Sequence, residues 1–309
     1  MNSSTLSLST AFNIKEYNSW TKYLPAVKKL GFDTLELNVE VPESWMPEIE
    51  RSVCREEIRI SSLHNFCPRL ENLPDNRTVY TGYILNSDSE EERELALRHT
   101  FRTIEWANRT RAKAVVIHAG EVRTEPSGGE FYRYLQQFGR NGKMYPRYLE
   151  ALMADRKKKS SYCLELLMKS LDRIIEFARE KGVSIGLENR YFLHEIPSFD
   201  EIGVLLDHYA GAPFGYWHDT GHAEVFVRQG WVENHAAYLA RYAPRAIGCH
   251  LHDLKRLSDH YAPGCGDLDF RGIAPYLAGI PLKVVEAHAK SRPKEVAASI
   301  GFLRKSGVI

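Results

Sequence analysis

Seven residues able to bind a metal or move a proton, Glu36, His64, His118, Glu188, Asp219, His250 and Glu286, each stand at the end of a short apolar or β-branched run. If those runs are parallel strands of a barrel, their carboxyl ends ring one cavity. Carboxylates gathered there are costly to bury unless a cation compensates them. A lone strand-end histidine more often makes a structural hydrogen bond, so the coincidence of seven carries the weight. The pattern predicts a divalent-metal centre with acid/base groups around it. Glu and Asp oxygens with one imidazole suit Mn²⁺, Mg²⁺ or Co²⁺, whereas several imidazoles draw a site toward Zn²⁺. Both kinds of donor are present, and the metal stays open.

The elements that must position these groups alternate along the chain. Strand-like runs fall at Leu6–Thr10, Thr34–Leu37, Arg59–Leu63, Ala114–Ile117, Ser184–Leu187, Gly215–Trp217, Ala246–Cys249 and Lys283–Val285. Amphipathic helical segments lie between them, including Trp20–Leu30, Glu90–Asn108, Leu164–Lys181, Ser198–Tyr209 and Pro293–Lys305. Gly31 and Gly182 follow two of these segments as helix caps would. Eight βα units in 309 residues favour one closed α/β barrel, a (β/α)8 TIM barrel, over an open sheet. No linker divides the chain, so residues 1–309 read as a single domain. Two connections exceed simple turns: Asn65–Ser87 after the third strand, and an insertion at about 119–160 after the fourth.

In order along the chain stand Ser62-Leu63-His64, Ile117-His118-Ala119-Gly120, Gly186-Leu187-Glu188-Asn189-Arg190, His218-Asp219-Thr220-Gly221-His222 and His250-Leu251-His252-Asp253. Gly264-Cys265-Gly266-Asp267-Leu268-Asp269-Phe270 and Val285-Glu286-Ala287-His288 follow. Together they resemble the xylose isomerase-like TIM-barrel superfamily, which unites sugar (phosphate) isomerases and epimerases with endonuclease IV-type AP endonucleases. The similarity runs from about Ser7 to Leu303. It implies that Glu188, Asp219, His250 and Glu286 hold the central divalent metal. It implies substrate contacts for His64, His118 and His222, positions that the nuclease branch uses for additional zinc. His260 is expected among the substrate contacts as well, and it matches a further nuclease metal position. There the branch places an Asp two residues earlier, where this chain has Ser258; Asp259 is adjacent and points away if the segment is extended.

By the same resemblance, a metal between two glutamates chelates adjacent oxygens of a keto-sugar and stabilises an enediolate. Glu188 and Glu286 then act as acid and base from opposite sides. Arg190 either grips a substrate phosphate or carboxylate or pairs with an acidic neighbour such as Glu195. His252, Asp253 and His288 are expected to orient the metal ligands. His194 is left without a role, and His99, His208 and His235 read as surface or packing residues.

The net charge is +1, from 41 basic and 40 acidic residues, which argues against a general polyanion binder and makes a nucleic-acid partner secondary. The average conceals a local excess. Residues 131–159 carry eight cations against two acids, leaving −5 elsewhere, with Phe131, Tyr132, Tyr134, Phe138, Tyr145 and Tyr148 interleaved. Such a segment serves as a subunit interface, in a homodimer or homotetramer, as a substrate lid, or as a nucleic-acid contact. Within it, Arg156-Lys157-Lys158-Lys159 reads as a solvated helix face. Five scattered cysteines without a CxxC pair, and a Met1–Thr10 start unlike a secretory signal, suit a cytoplasmic protein without membrane segments. The leading expectation is a sugar or sugar-phosphate isomerase/epimerase using one divalent ion. The alternatives are a zinc AP endonuclease with additional ions, or a metal-dependent dehydratase or lyase on a polyhydroxy acid.

Overall fold

Strands β1 (Thr5–Ser9), β2 (Thr34–Leu37), β3 (Arg59–His64), β4 (Ala114–Ile117), β5 (Ser184–Glu188), β6 (Phe214–Asp219), β7 (Ala246–Leu251) and β8 (Leu282–Val285) pair in parallel in chain order. The eighth returns to the first and closes the barrel. This is a computed structural model, and it describes residues 5–73 and 77–309; the Met1–Thr10 start and the Asn65–Ser87 connection fall partly outside them. Helices α1 (Trp20–Lys29), α2 (Met46–Cys54) and α3 (Glu90–Arg109) cover the first strands. After β4 come α4 (Gly128–Phe138) and the 37-residue α5 (Tyr145–Lys181). Helices α6 (Phe199–His208), α7 (Thr220–Arg228), α8 (His235–Tyr242), α9 (Phe270–Leu277) and α10 (Pro293–Lys305) complete the outer layer.

Several strands run one or two residues beyond the ends expected from the apolar runs. His64, Glu188, Asp219, His250 and Leu251 lie inside β3, β5, β6 and β7, because ladder pairing continues through the polar residues, as in Asp219 opposite His250.

The barrel interior explains how an apolar core and a polar site share one set of strands. Side chains alternate along a strand, so every second residue faces the barrel axis. Trp217 is fully buried and lies across Gly186 and Gly248 on the flanking strands; a Cβ at Gly248 would come within 2.1 Å of its ring, and one at Gly186 within 2.8 Å. Trp217 packs with Ala114, Val116 and Val284 as an apolar floor. Two residues further along the same strands stand Glu188, Asp219, His250 and Glu286. Glu286 follows β8 directly, and its N–H extends the ladder to Leu251 O at 3.1 Å.

The insertion is largely helical rather than a loop. Ser127 and Glu130 form a capping box that starts α4, while Gly182 in left-handed geometry ends α5. Phe131, Tyr132 and Tyr145 are buried in a cluster with Leu152, Phe226 and Tyr238, so half of the interleaved aromatics are used within the subunit rather than at a surface. Phe138 alone of the six remains more than half exposed. Arg156 is also buried: Nη1 and Nη2 donate to both Glu201 oxygens at 2.8 and 2.7 Å, and further bonds reach Leu193 O and Glu195 O. The expected solvated face therefore holds for Lys157 and Lys158 but not for Arg156. Among the described residues, no helix is long and apolar enough to cross a membrane.

Candidate active site

Glu188, Asp219, His250 and Glu286 are all buried and each offers a donor atom within 4.8 Å of the others. His250 Nδ1 lies 3.0 Å from Glu188 Oε1, 3.2 Å from Glu286 Oε2 and 3.7 Å from Asp219 Oδ2. Its Nε2 faces away and lies 3.1 Å from Glu36 Oε1; Ser62 Oγ donates to Glu36 Oε2 at 2.8 Å. Burial opposes charge on His250, but Glu286 and Glu36 hold its pKa well above the ordinary histidine range. Burial would raise the Glu188 carboxyl, yet His118, His250 and His64 hold it well below its usual value. Asp219 is likewise lowered against burial, by His222 and His252. Three carboxylates and one imidazole thus share a buried point, a donor set that fits a divalent cation by charge and by chemistry.

The surrounding shell fixes these side chains. His252 Nδ1 accepts the His260 N–H, which leaves Nε2–H directed at Asp219, with 2.8 and 2.9 Å to its two oxygens. Asn189 accepts the Asp219 N–H at 2.7 Å and returns a bond to Asp219 O at 3.0 Å. Tyr216 OH donates to the same Asn189 oxygen and meets His218 Nδ1; His218 Nε2 lies 2.9 Å from His235 Nε2, and His235 Nδ1 lies 3.1 Å from Glu224. His235 is therefore a packing residue, but one inside a polar network that reaches the site. Its type gave no signal of this, because its partners are remote in sequence.

Further donor groups adjoin the first. His118 Nε2 is 3.0 Å and His64 Nε2 3.6 Å from Glu188 Oε2. Burial and Arg190 press His118 down to about 4. On the other side Asp219, His222, His252 and His260 converge. His222 Nδ1 donates to Asn189 O at 3.0 Å, and its Nε2 lies 3.7 Å from Asp259 Oδ2. Asp259 corrects the extended-strand expectation. His260 adopts φ 55°, and the Asp253–Lys255/Ser258–Tyr261 ribbon is irregular in register, so Asp259 turns into the cavity. Ser258 is exposed and accepts a bond from Lys290. Against burial, Asp259 and Glu286 raise His260 to about 10. His288 stacks on His260 at 3.9 Å, and burial and that neighbour push it down to about 3.

One open role narrows and one expected role changes. Arg190 is engaged on both sides, with Nη1 donating to Glu188 Oε2 at 3.0 Å and Nη2 to Glu195 Oε1 at 2.9 Å, so it braces a carboxylate of the site. Asp253 accepts four backbone N–H groups, from Leu254, Gly264, Gly266 and Leu268, and shapes the loop rather than any ligand. His194 packs against Gly128, 3.8 Å from Glu121. Above the donors lies a cavity of about 280 Å³ lined by Asn38, Tyr80, Gln136 of α4, Tyr191 and Phe192 as well as by His64, His118 and His260.

The sequence model of a family described as xylose isomerase-like TIM barrel matches residues 24–306. No curated protein sequence matches. Among solved structures, D-psicose 3-epimerase from Clostridium cellulolyticum H10 is similar with TM-score 0.69 at 14% identity, covering 99% of this chain and all of that one. 3-Keto-D-glucoside 4-epimerase from E. coli gives 0.66 at 17%, covering 98% and 99%. A Thermus thermophilus protein soaked with ZnCl2 gives 0.58 at 19%, covering 99% and 98%. At these identities the likeness establishes the fold.

Proposed function

This chain belongs to the xylose isomerase-like TIM-barrel family, and on that premise we propose that it is a divalent-metal-dependent isomerase or epimerase of a sugar. The observation that carries the reading is the buried quartet Glu188, Asp219, His250 and Glu286 at the floor of a cavity of about 280 Å³. The solved relatives, epimerases of psicose and of a keto-glucoside, point the same way. A bound divalent ion would polarise the oxygens of a keto-sugar and stabilise the developing enediolate. Glu188 and Glu286 would remove and return a carbon-bound proton. His222, whose Nδ1–H is fixed by Asn189 O, presents Nε2 to a substrate oxygen or to a metal. Arg190 positions Glu188. Among the described residues no unengaged arginine lines the cavity, so a neutral sugar fits better than a sugar phosphate.

The test is to strip metal with chelator, restore Mn²⁺, Co²⁺, Mg²⁺ or Zn²⁺ separately, and follow ketohexoses in D2O by proton NMR. Solvent deuterium should enter the carbon next to the carbonyl only in the reloaded protein. Exchange indifferent to the chelator would overturn the proposal.

One observation favours a second reading. His64/His118/Glu188 and Asp219/His222/His252/His260 flank the central quartet, and Asp259, 3.7 Å from His222 and 3.0 Å from His260, offers a carboxylate near where the three-zinc phosphodiesterases use the residue at Ser258. Metal analysis separates the two: one ion per chain supports the isomerase, whereas three zinc ions with cleavage of an abasic-site oligonucleotide support the nuclease.

A further inference from the structure

Beside the metal-type cavity lies a second one of about 220 Å³, lined by Asn65, Thr81, Tyr83 and Glu121 among others. His118, Arg190, Tyr80 and Phe192 line both spaces and form their shared wall. Each cavity alone falls below the ~300 to 1,000 Å³ usual for ligand sites, so a ligand of that size would have to extend over both. The wall carries exposed aromatic surface in a recess: Tyr80 is 46% and Phe192 37% exposed. Such rings offer apolar faces to the C–H faces of a sugar.

The charges lining the second cavity disfavour an anion. Arg77 is paired with Glu92 at 2.6 Å, and Arg190 is held between Glu188 and Glu195. Glu121 adds a carboxylate that has His194, whose pKa burial lowers, at 3.8 Å and Arg123 at 4.0 Å. Among the described residues of this lining, a phosphate or carboxylate would meet no free arginine or lysine and one poorly compensated acid. Asn65 is 6% exposed; its Nδ2 donates to Thr100 Oγ1 at 3.0 Å, while Oδ1 has no hydrogen-bond partner.

We infer that the second cavity is a subsite for a neutral sugar unit, so that the substrate is a glycosylated ketose, with its keto unit over the metal donors and its glycosyl unit beyond the Tyr80/Phe192 wall. This rests on the isomerase reading above. The test uses the full chain loaded with Mn²⁺ in D2O and compares free ketohexoses with reducing disaccharides in which the ketose bears a glycosyl group. The disaccharides should exchange with a kcat/KM about tenfold or more above the free sugars. Thr81→Trp and Glu121→Trp, which fill the second cavity from separate segments, should each lower that value about tenfold and leave the free sugar within about twofold. Free sugars exchanging as fast as the disaccharides would overturn the subsite and leave the isomerase reading standing. A parallel loss of both substrates in two folded variants would do the same. Exchange with neither class, under any of the four metals, would remove both.

Discussion

His250 Nε2 stands 3.1 Å from Glu36 Oε1, and this contact turns the opposite nitrogen, Nδ1, toward Glu188, Asp219 and Glu286. Both residues are fully buried. A carboxylate behind a coordinating imidazole fixes its orientation and raises its basicity, and loss of such a partner costs roughly 10- to 100-fold in metal affinity. Glu36→Gln should therefore weaken Mn²⁺ binding by about that factor while the fold is retained, as read by calorimetric titration of the metal-stripped protein. An unchanged affinity would show that Glu36 serves packing alone.

Arg156 supplies a stability test within the basic run. It carries a buried charge whose bidentate partner is Glu201 and whose remaining donors meet two carbonyls. Removing one member of such a pair leaves the other charge uncompensated, at about 3–5 kcal/mol. Arg156→Ala should lower unfolding stability by about that amount, whereas Lys157→Ala and Lys158→Ala, on exposed positions, should stay within about 0.5 kcal/mol. Urea denaturation of the three variants decides it. If all three behave alike, the ion pair contributes nothing special.

What could be read from the sequence follows from what is local. Gly186-x-Glu188, Trp217-x-Asp219, Gly248-x-His250 and Val284-x-Glu286 each place a floor residue and a chelating residue on one face, so strand periodicity alone brings the quartet together. Asp259 escaped because one residue in left-handed geometry, His260, breaks that periodicity. Arg156 looked like its lysine neighbours because Glu201 lies 45 residues away. The helical character of the insertion was hidden by its polar surface, since α4 is defined by its capping box and by a buried aromatic face met only in three dimensions. Arg190 had two open roles in the sequence, and the proximity of Glu195 in space assigns it to bracing.

His99 gives the acid limb of stability a specific source. Its ring stacks on Tyr83 at 5.4 Å, behind the second cavity. Burial, Arg102 and Arg98 hold its pKa down to about 4, below the roughly 6.5 of an unfolded chain. The unfolded state therefore takes up the proton first, and stability present above about pH 6.5 is lost as the pH falls toward 4. The group is half-buried, so solvent screening limits the loss to the order of 1 kcal/mol. His99→Gln should flatten the difference between urea midpoints at about pH 7 and about pH 4.5 by that amount. An identical pH dependence in the variant would assign the acid sensitivity elsewhere.

In the proposed reaction the two glutamates are separable from the other donors, because only they would both hold metal and move a proton. Glu188 is braced by Arg190, His118 and His64, while Glu286 faces His250 and His260. Glu→Gln keeps an oxygen donor and the side-chain volume but removes the proton acceptor, at a cost of about 100-fold or more in turnover. In Glu286→Gln and Glu188→Gln, deuterium exchange at saturating Mn²⁺ should fall by at least about that factor even where metal is still bound. Metal content measured alongside separates loss of the base from loss of the ion. If either variant binds metal and turns over without impairment, that glutamate is a ligand only. The proton must then leave through another group lining the cavity, such as His222 at Nε2, the nitrogen not bound to Asn189 O.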